Sequence, residues 1–242
     1  MVRAFLLLAL LGACGACGDD GATIDAPVDM VPPIDIDNGN CGSLRRFTGE
    51  YVDWDNDAEF CGINASIFRI QGSATMIVTP PNGRIDMCVA DQPVVLIDIE
   101  QGADDSACTT PPSPYPVGGI AVANRDVIMA QGGTWHGRSF TAARQTSFFT
   151  QIGQPFDPAK GHLFIHVAGT PRAVSIDSPH GATQAVSATT WAAGDTGHEV
   201  FFPNIDVGAG TTMLSVPGGT AIGAGAIPLA AGKVTTLTIV VN

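Results

Sequence analysis

The sequence predicts an all-β protein: two tandem β-sandwiches with one short helix between them. Three observations predict it. Glycine and proline are abundant, at 29 and 17 of 242 residues, which suits short strands and turns rather than long helices. Short apolar or alternating runs recur, each bounded by Gly, Pro, Asn or Asp. The hydrophobic fraction is 45% against 14% charged residues, enough apolar surface for a packed core and too much for a disordered chain. The net charge of −12 excludes nucleic acid as a partner, because phosphate binding needs the opposite sign.

In the first half the predicted strands are Phe47–Val52, Ala65–Ile70, Thr75–Thr79, Arg84–Val89, Val94–Ile99, Ile120–Ala123 and Asp126–Met129. Pro80-Pro81-Asn82-Gly83 reads as a hairpin loop between two of them. In the second half they are His162–Ala168, Ala173–Asp177, Gln184–Thr189, His198–Pro203, Thr211–Ser215 and Val234–Val241. The last run, VTTLTIVV, is rich in β-branched residues and makes a strong closing strand. Between the halves, Thr141–Gly153 lacks strand breakers, can place Phe148, Phe149 and Ile152 on one face, and ends on a glycine suited to a helix C-terminus.

The first residues read as an address. Arg3 precedes an apolar run from Ala4 to Leu11, too short to span a bilayer. Leu11-Gly12-Ala13-Cys14 resembles the lipobox of bacterial lipoproteins. That resemblance implies cleavage before Cys14, acylation of its thiol and a durable membrane anchor. Gly15 follows, where an aspartate would resemble an inner-membrane retention signal, so the outer membrane is the expected location. From Asp19 to Asp37 six aspartates and three prolines run without a Lys or Arg, a self-repelling, stiffened tether. The expected organisation is a signal peptide over 1–13, an acidic flexible tether over 14–40, a sandwich with a C-terminal helix over 41–157, and a second sandwich over 158–242.

Four cysteines follow the tether: Cys41, Cys61, Cys88 and Cys108. An exported chain meets oxidising conditions, so two disulfides are expected. Of the three connectivities we favour the local one, Cys41–Cys61 with Cys88–Cys108. No CxxC pair occurs among the four, which argues against a zinc knuckle.

Phe47-Thr48-Gly49-Glu50-Tyr51-Val52-Asp53, Gly62-Ile63-Asn64-Ala65-Ser66-Ile67 and Thr79-Pro80-Pro81-Asn82-Gly83-Arg84-Ile85 together resemble the carboxypeptidase regulatory-like domain. Gly161–Val167, Gly197–Ile205 and Ala231–Thr235 resemble it again in the second half. The first half departs from the family pattern at Ile85, where an aromatic usually falls, and at the proline before Asn82-Gly83. The resemblance implies Ig-like, transthyretin-like sandwiches that are not themselves catalytic.

Candidate chemistry is sparse. His162 and His166, four apart on a strand, are about 13 Å apart, too far to share a metal. His198-Glu199 does not extend to HExxH, and no GxSxG elbow occurs. We read the five histidines as strand-end and loop residues. Asp53, Asp55 and Asp57 alternate as in the opening of a calcium loop, with Glu59 as a further oxygen donor. Ala58 stands where that loop needs glycine, so Ca²⁺ is the weaker reading and no cofactor the stronger one. Trp54 and Trp135 are candidate sugar platforms on loops, and Trp191 a core residue. The expected function is therefore non-catalytic: a lipid-anchored envelope protein displaying β-sandwiches to another envelope component. The alternative is a carbohydrate-binding surface lipoprotein, and an exported hydrolase ranks below it.

Overall fold

Strand alternation sets the first layer. In β1 (Arg45–Asp53) Phe47, Gly49 and Tyr51 turn inward, while Arg46 and Glu50 stay at the surface. The remaining early elements are β2 (Ile67–Ile70), β3 (Met76–Val78), β4 (Arg84–Val89), β5 (Val94–Ile99), β6 (Gly119–Asn124), α1 (Arg125–Ala130), β7 (Thr134–Ser139) and α2 (Ala142–Gln151). The second half supplies β8 (Gly161–Ala168), β9 (Arg172–Ala173), β10 (Ser175–Ile176), β11 (Gln184–Val186), β12 (Trp191–Ala193), β13 (Thr196–Gly197) and β14 (Glu199–Ile205). It closes with β15 (Thr211–Ser215), β16 (Ala221–Ile222), β17 (Ala226–Pro228) and β18 (Val234–Val241). This computed structural model describes residues 41–55, 62–100, 115–130, 134–186, 190–223 and 225–242, with the side chains of 128–130 excepted.

The class is all-β, as predicted, and the strands form one dominant sheet. Its ten strands run β12-β11-β14-β8-β18-β6-β5-β2-β3, with β16 on the flank of β18. The centre is parallel: β18 lies between β8 and β6 and runs parallel to both. Parallel strands are covered on both faces and so are apolar throughout. The burial of β6, β8 and β18 along nearly their whole lengths follows that rule. A three-stranded sheet, β4-β1-β7, is separate from this one. Two smaller sheets, β10-β15-β17 and β13-β9, complete the described fold.

Several expectations change here. The ten-stranded sheet crosses the boundary expected at 157/158, because β18 from the end of the chain pairs with β6 from the first half. The described residues, from 41 to 242, fall in one compact unit. One apolar core gathers around Phe47, Phe68, Ile97 and Trp135; a second, around Leu163, Ile165, Phe202 and Ile239, takes in Val122 and Leu96 from the first half. A third cluster around Trp54, Phe148, Phe164 and Phe201 also draws on both halves.

Asp126–Met129, expected as a strand, lies in α1. Asn124 Oδ1 accepts from the N–H groups of Asp126 and Val127 (2.9 and 3.2 Å), capping the turn and starting a helix. The expected hairpin at Pro80–Gly83 is not one, since β3 pairs with β2 and β4 with β1. That turn crosses between sheets and packs on β1 instead. Gly83 has φ +65° and donates to the Pro80 carbonyl at 2.8 Å. A Cβ on Gly62 would sit 1.9 Å from the Asn82 carbonyl carbon, so the close approach requires glycine there.

The disulfide differs from the favoured pairing. Cys41 bonds Cys88, closing a sequence separation of 47 and tying the turn before β1 to β4. β1 and β4 are antiparallel neighbours with Arg46 opposite Cys88, so sheet pairing brings together two cysteines that are distant in sequence. Cys14, Cys61 and Cys108 lie outside the described residues.

Candidate functional site: a histidine–carboxylate cluster between two sheets

Register places the charged side chains of this cluster. In the parallel pair β1–β7, Glu50 stands opposite His136. His136 Nδ1 lies 2.7 Å from Glu50 Oε1, with both side chains about one-third exposed. In the antiparallel pair β8–β14, His166 stands opposite Glu199. Across the gap between the sheets the His136 and His166 rings lie 4.5 Å apart at 31°.

Arg138, two residues after His136 on β7, braces the arrangement. Its Nε and Nη2 reach Glu199 Oε1 at 2.7 and 2.6 Å, and Nη1 donates to the carbonyls of Asp53 and Trp54, each at 3.2 Å. Arg138 is buried and Glu199 nearly so. Desolvating such a pair offsets much of its attraction, and removing one partner strands the other. Burial, with help from the neighbouring His136, Arg138 and His198, pushes His166 down to about 3. It is therefore neutral at physiological pH, with Nδ1 sealed and unpartnered among the described residues. The Oγ1 of Thr238, its register partner on β18, is in the same state.

His162 sits apart from this cluster. It is fully buried, stacked on Phe156 at 4.6 Å with Phe201 behind it, and its Nδ1 accepts from the Asn204 N–H at 3.1 Å. Burial lowers it to about 4. His162, second in β8, and His166, within it, are interior to the molecule because β8 is central to the sheet. Among the described residues no group of three His, Cys, Asp or Glu side chains is placed to hold a metal.

The two tryptophans expected as platforms are core residues. Trp54 is 1% and Trp135 3% exposed. Trp54 stacks on Trp191 at 4.7 Å and meets Phe140, Phe148 and Phe201 edge-on. Trp135 packs on Phe47, Tyr51 and Phe68, and its Nε1 donates to the Thr236 carbonyl at 3.3 Å. Neither presents a face to a sugar.

The acidic loop is consumed locally where it is described. Asp53 accepts from the Asp55 N–H and the Tyr115 hydroxyl, both at 3.0 Å, and Asp55 ion-pairs with Arg144 at 2.8 Å. These two carboxylates serve protein partners rather than turning toward a common cation. Asp57 and Glu59 lie outside the described residues. The His136–His166 cluster escaped the sequence reading because its members span residues 50 to 199. The one local trace is the equal parity of His136 and Arg138 on β7.

No family model matches the chain, and no curated protein matches it. Among solved structures it is similar to the Bacillus anthracis TIE protein, at 11% identity and TM-score 0.28, over 82% of this chain and 34% of that one. It is also similar to a shaft pilin SpaA double mutant from Lactobacillus rhamnosus GG, at 9% identity and TM-score 0.22, over 81% and 96%. The chain spans about a third of the TIE protein's length. Likenesses this distant carry no argument about function.

Proposed function

We propose that this is a non-catalytic, lipid-anchored envelope protein that displays a rigid β-structured body, built as two sandwich-like halves, on the outer membrane. The observation that carries the reading is the Cys41–Cys88 disulfide. Structural disulfides belong to oxidising compartments, which agrees with the export expected from residues 1–13. The Leu11–Cys14 lipobox then supplies the anchor and residues 14–40 the spacing from the bilayer. The sheet-centred fold supports a display role, since its aromatic side chains and the Arg138–Glu199 pair hold the body together. The resemblance to carboxypeptidase regulatory-like domains supports the same reading. An envelope protein or polysaccharide is the expected partner.

Expression of the full chain in a Gram-negative host tests the anchor. The mature N-terminus should be an acylated Cys14 by intact mass, and the protein should fractionate with outer membranes. Cys14→Ser should lose the acyl mass and leave the membrane fraction. A wild-type protein with an unmodified N-terminus, free of membranes, overturns the proposal.

A further inference from the structure

We propose that the His136–His166 ring pair is an acid-operated clasp between the three-stranded sheet and the ten-stranded sheet. His136 belongs to β7 and His166 to β8, so their 4.5 Å ring contact joins the two layers directly. Its surroundings favour the neutral form and penalise the charged one. From β7, His166 meets His136 and the permanently cationic Arg138. From the start of β14 come His198, a further basic group, and Glu199, which is already engaged by Arg138. From β1, Glu50 is engaged by His136. From β18 comes only the uncharged Thr238. A proton arriving on His166 therefore meets basic neighbours, while both carboxylates of the cluster are already occupied.

The sign follows from linkage. Closed, His166 is held down to about 3; released into water, an imidazole titrates near 6.5. The open form thus binds the extra proton between these values. The closed form is fully favoured above about 6.5 and loses ground as pH falls toward about 3. A buried, low-pKa histidine beside a second one is a switch of this kind when it also bridges two layers.

The test is hydrogen exchange by mass spectrometry on the full chain, from about pH 7.5 to about pH 4.5, corrected for intrinsic rates. Segments 134–139 and 161–168 should lose protection as pH falls, while segment 211–215 of β15 keeps its own. His166→Phe keeps an aromatic ring against His136 but cannot take a proton, so the acid loss at 134–139 should largely disappear, while 161–168 keeps the share that belongs to buried His162. His166→Gln, which takes no proton in this range, serves if the first variant fails to fold. Acid loss at 134–139 of equal size in a folded variant and wild type overturns the clasp. So does simultaneous loss across all three segments in wild type, which is ordinary global unfolding and needs no variant to detect.

Discussion

Trp54 is surrounded by rings, with Phe140, Phe148, Phe201 and Trp191 all within 5.2 Å between centroids. Truncating it leaves a hole in a cluster that draws on both halves. Trp54→Ala should lose about 3–5 kcal/mol of stability in urea unfolding, and a loss below about 1 kcal/mol would mean that the cluster collapses to fill the space. His162 makes a second residue-scale prediction. It is sealed between Phe156 and Phe201, and burial holds it at about 4 against about 6.5 for a free imidazole. Its depressed value means that stability present above about 6.5 drains away as pH falls toward about 4. Its imidazole carbon resonances should stay at neutral-form shifts down to about pH 5; titration near 6.5 would contradict the burial. Neither role was legible from local sequence. Trp54 is flanked by Asp53 and Asp55, so its neighbours suggested an exposed loop, and only the packing of distant strands over it makes it interior. The same holds for Trp135, which follows two glycines yet lies under Phe47 and Tyr51.

Elements governed by short-range chemistry were readable, and those governed by distant pairing were not. The helix at α2 was expected because its signals are local. Thr141 Oγ1 accepts from the Arg144 N–H at 3.2 Å, Phe148 and Phe149 face inward, and Gly153 takes φ +70°. Thr141→Ala should therefore cost about 1 kcal/mol, read as a lower urea midpoint with the fold retained. Strands β4, β5, β15 and β18 match the predicted ranges, although in β15 Thr212 is the buried residue and Met213 an exposed one. By contrast β7, Thr-Trp-His-Gly-Arg-Ser, looks polar because its Arg138 is buried against Glu199. Asp126–Met129 reads as a strand because so short a run shows no helical period, and the helix depends on the Asn124 side chain capping its first N–H groups. The disulfide belongs with these misreadings: equal spacing suggested local loops, while β1–β4 pairing joins Cys41 to Cys88. Peptide mapping without reduction should recover the 41–88 linkage. Replacing both cysteines with serine should cost about 2–4 kcal/mol. A recovered 41–61 peptide would instead favour the local pairing.

At the scale of the whole molecule, the position of β18 decides whether the chain behaves as two domains or one. A strand that pairs in parallel with β8 on one side and β6 on the other holds the backbone groups of both. Cutting at 157/158 would leave β6 with an open, apolar edge in the first fragment. It would also leave β18 without its β6 partner in the second, and exposed edges of this kind aggregate or melt. Two further links cross the same boundary. Lys233 bonds Asp98 at 3.1 Å, and the Trp135 indole donates to the Thr236 carbonyl. Unfolding of the intact chain should therefore be a single transition. Far-ultraviolet circular dichroism, which follows all the sheets, and fluorescence, dominated by Trp54, Trp135 and Trp191, should give one midpoint. Fragments 41–157 and 158–242 should each lack a cooperative transition when made alone and recover one only when mixed. Two separate midpoints, or a fragment that melts cooperatively by itself, would return the molecule to the tandem, independent sandwiches that the sequence pattern suggests. Such a result would make the shared sheet a docking arrangement of two bodies instead of the spine of one.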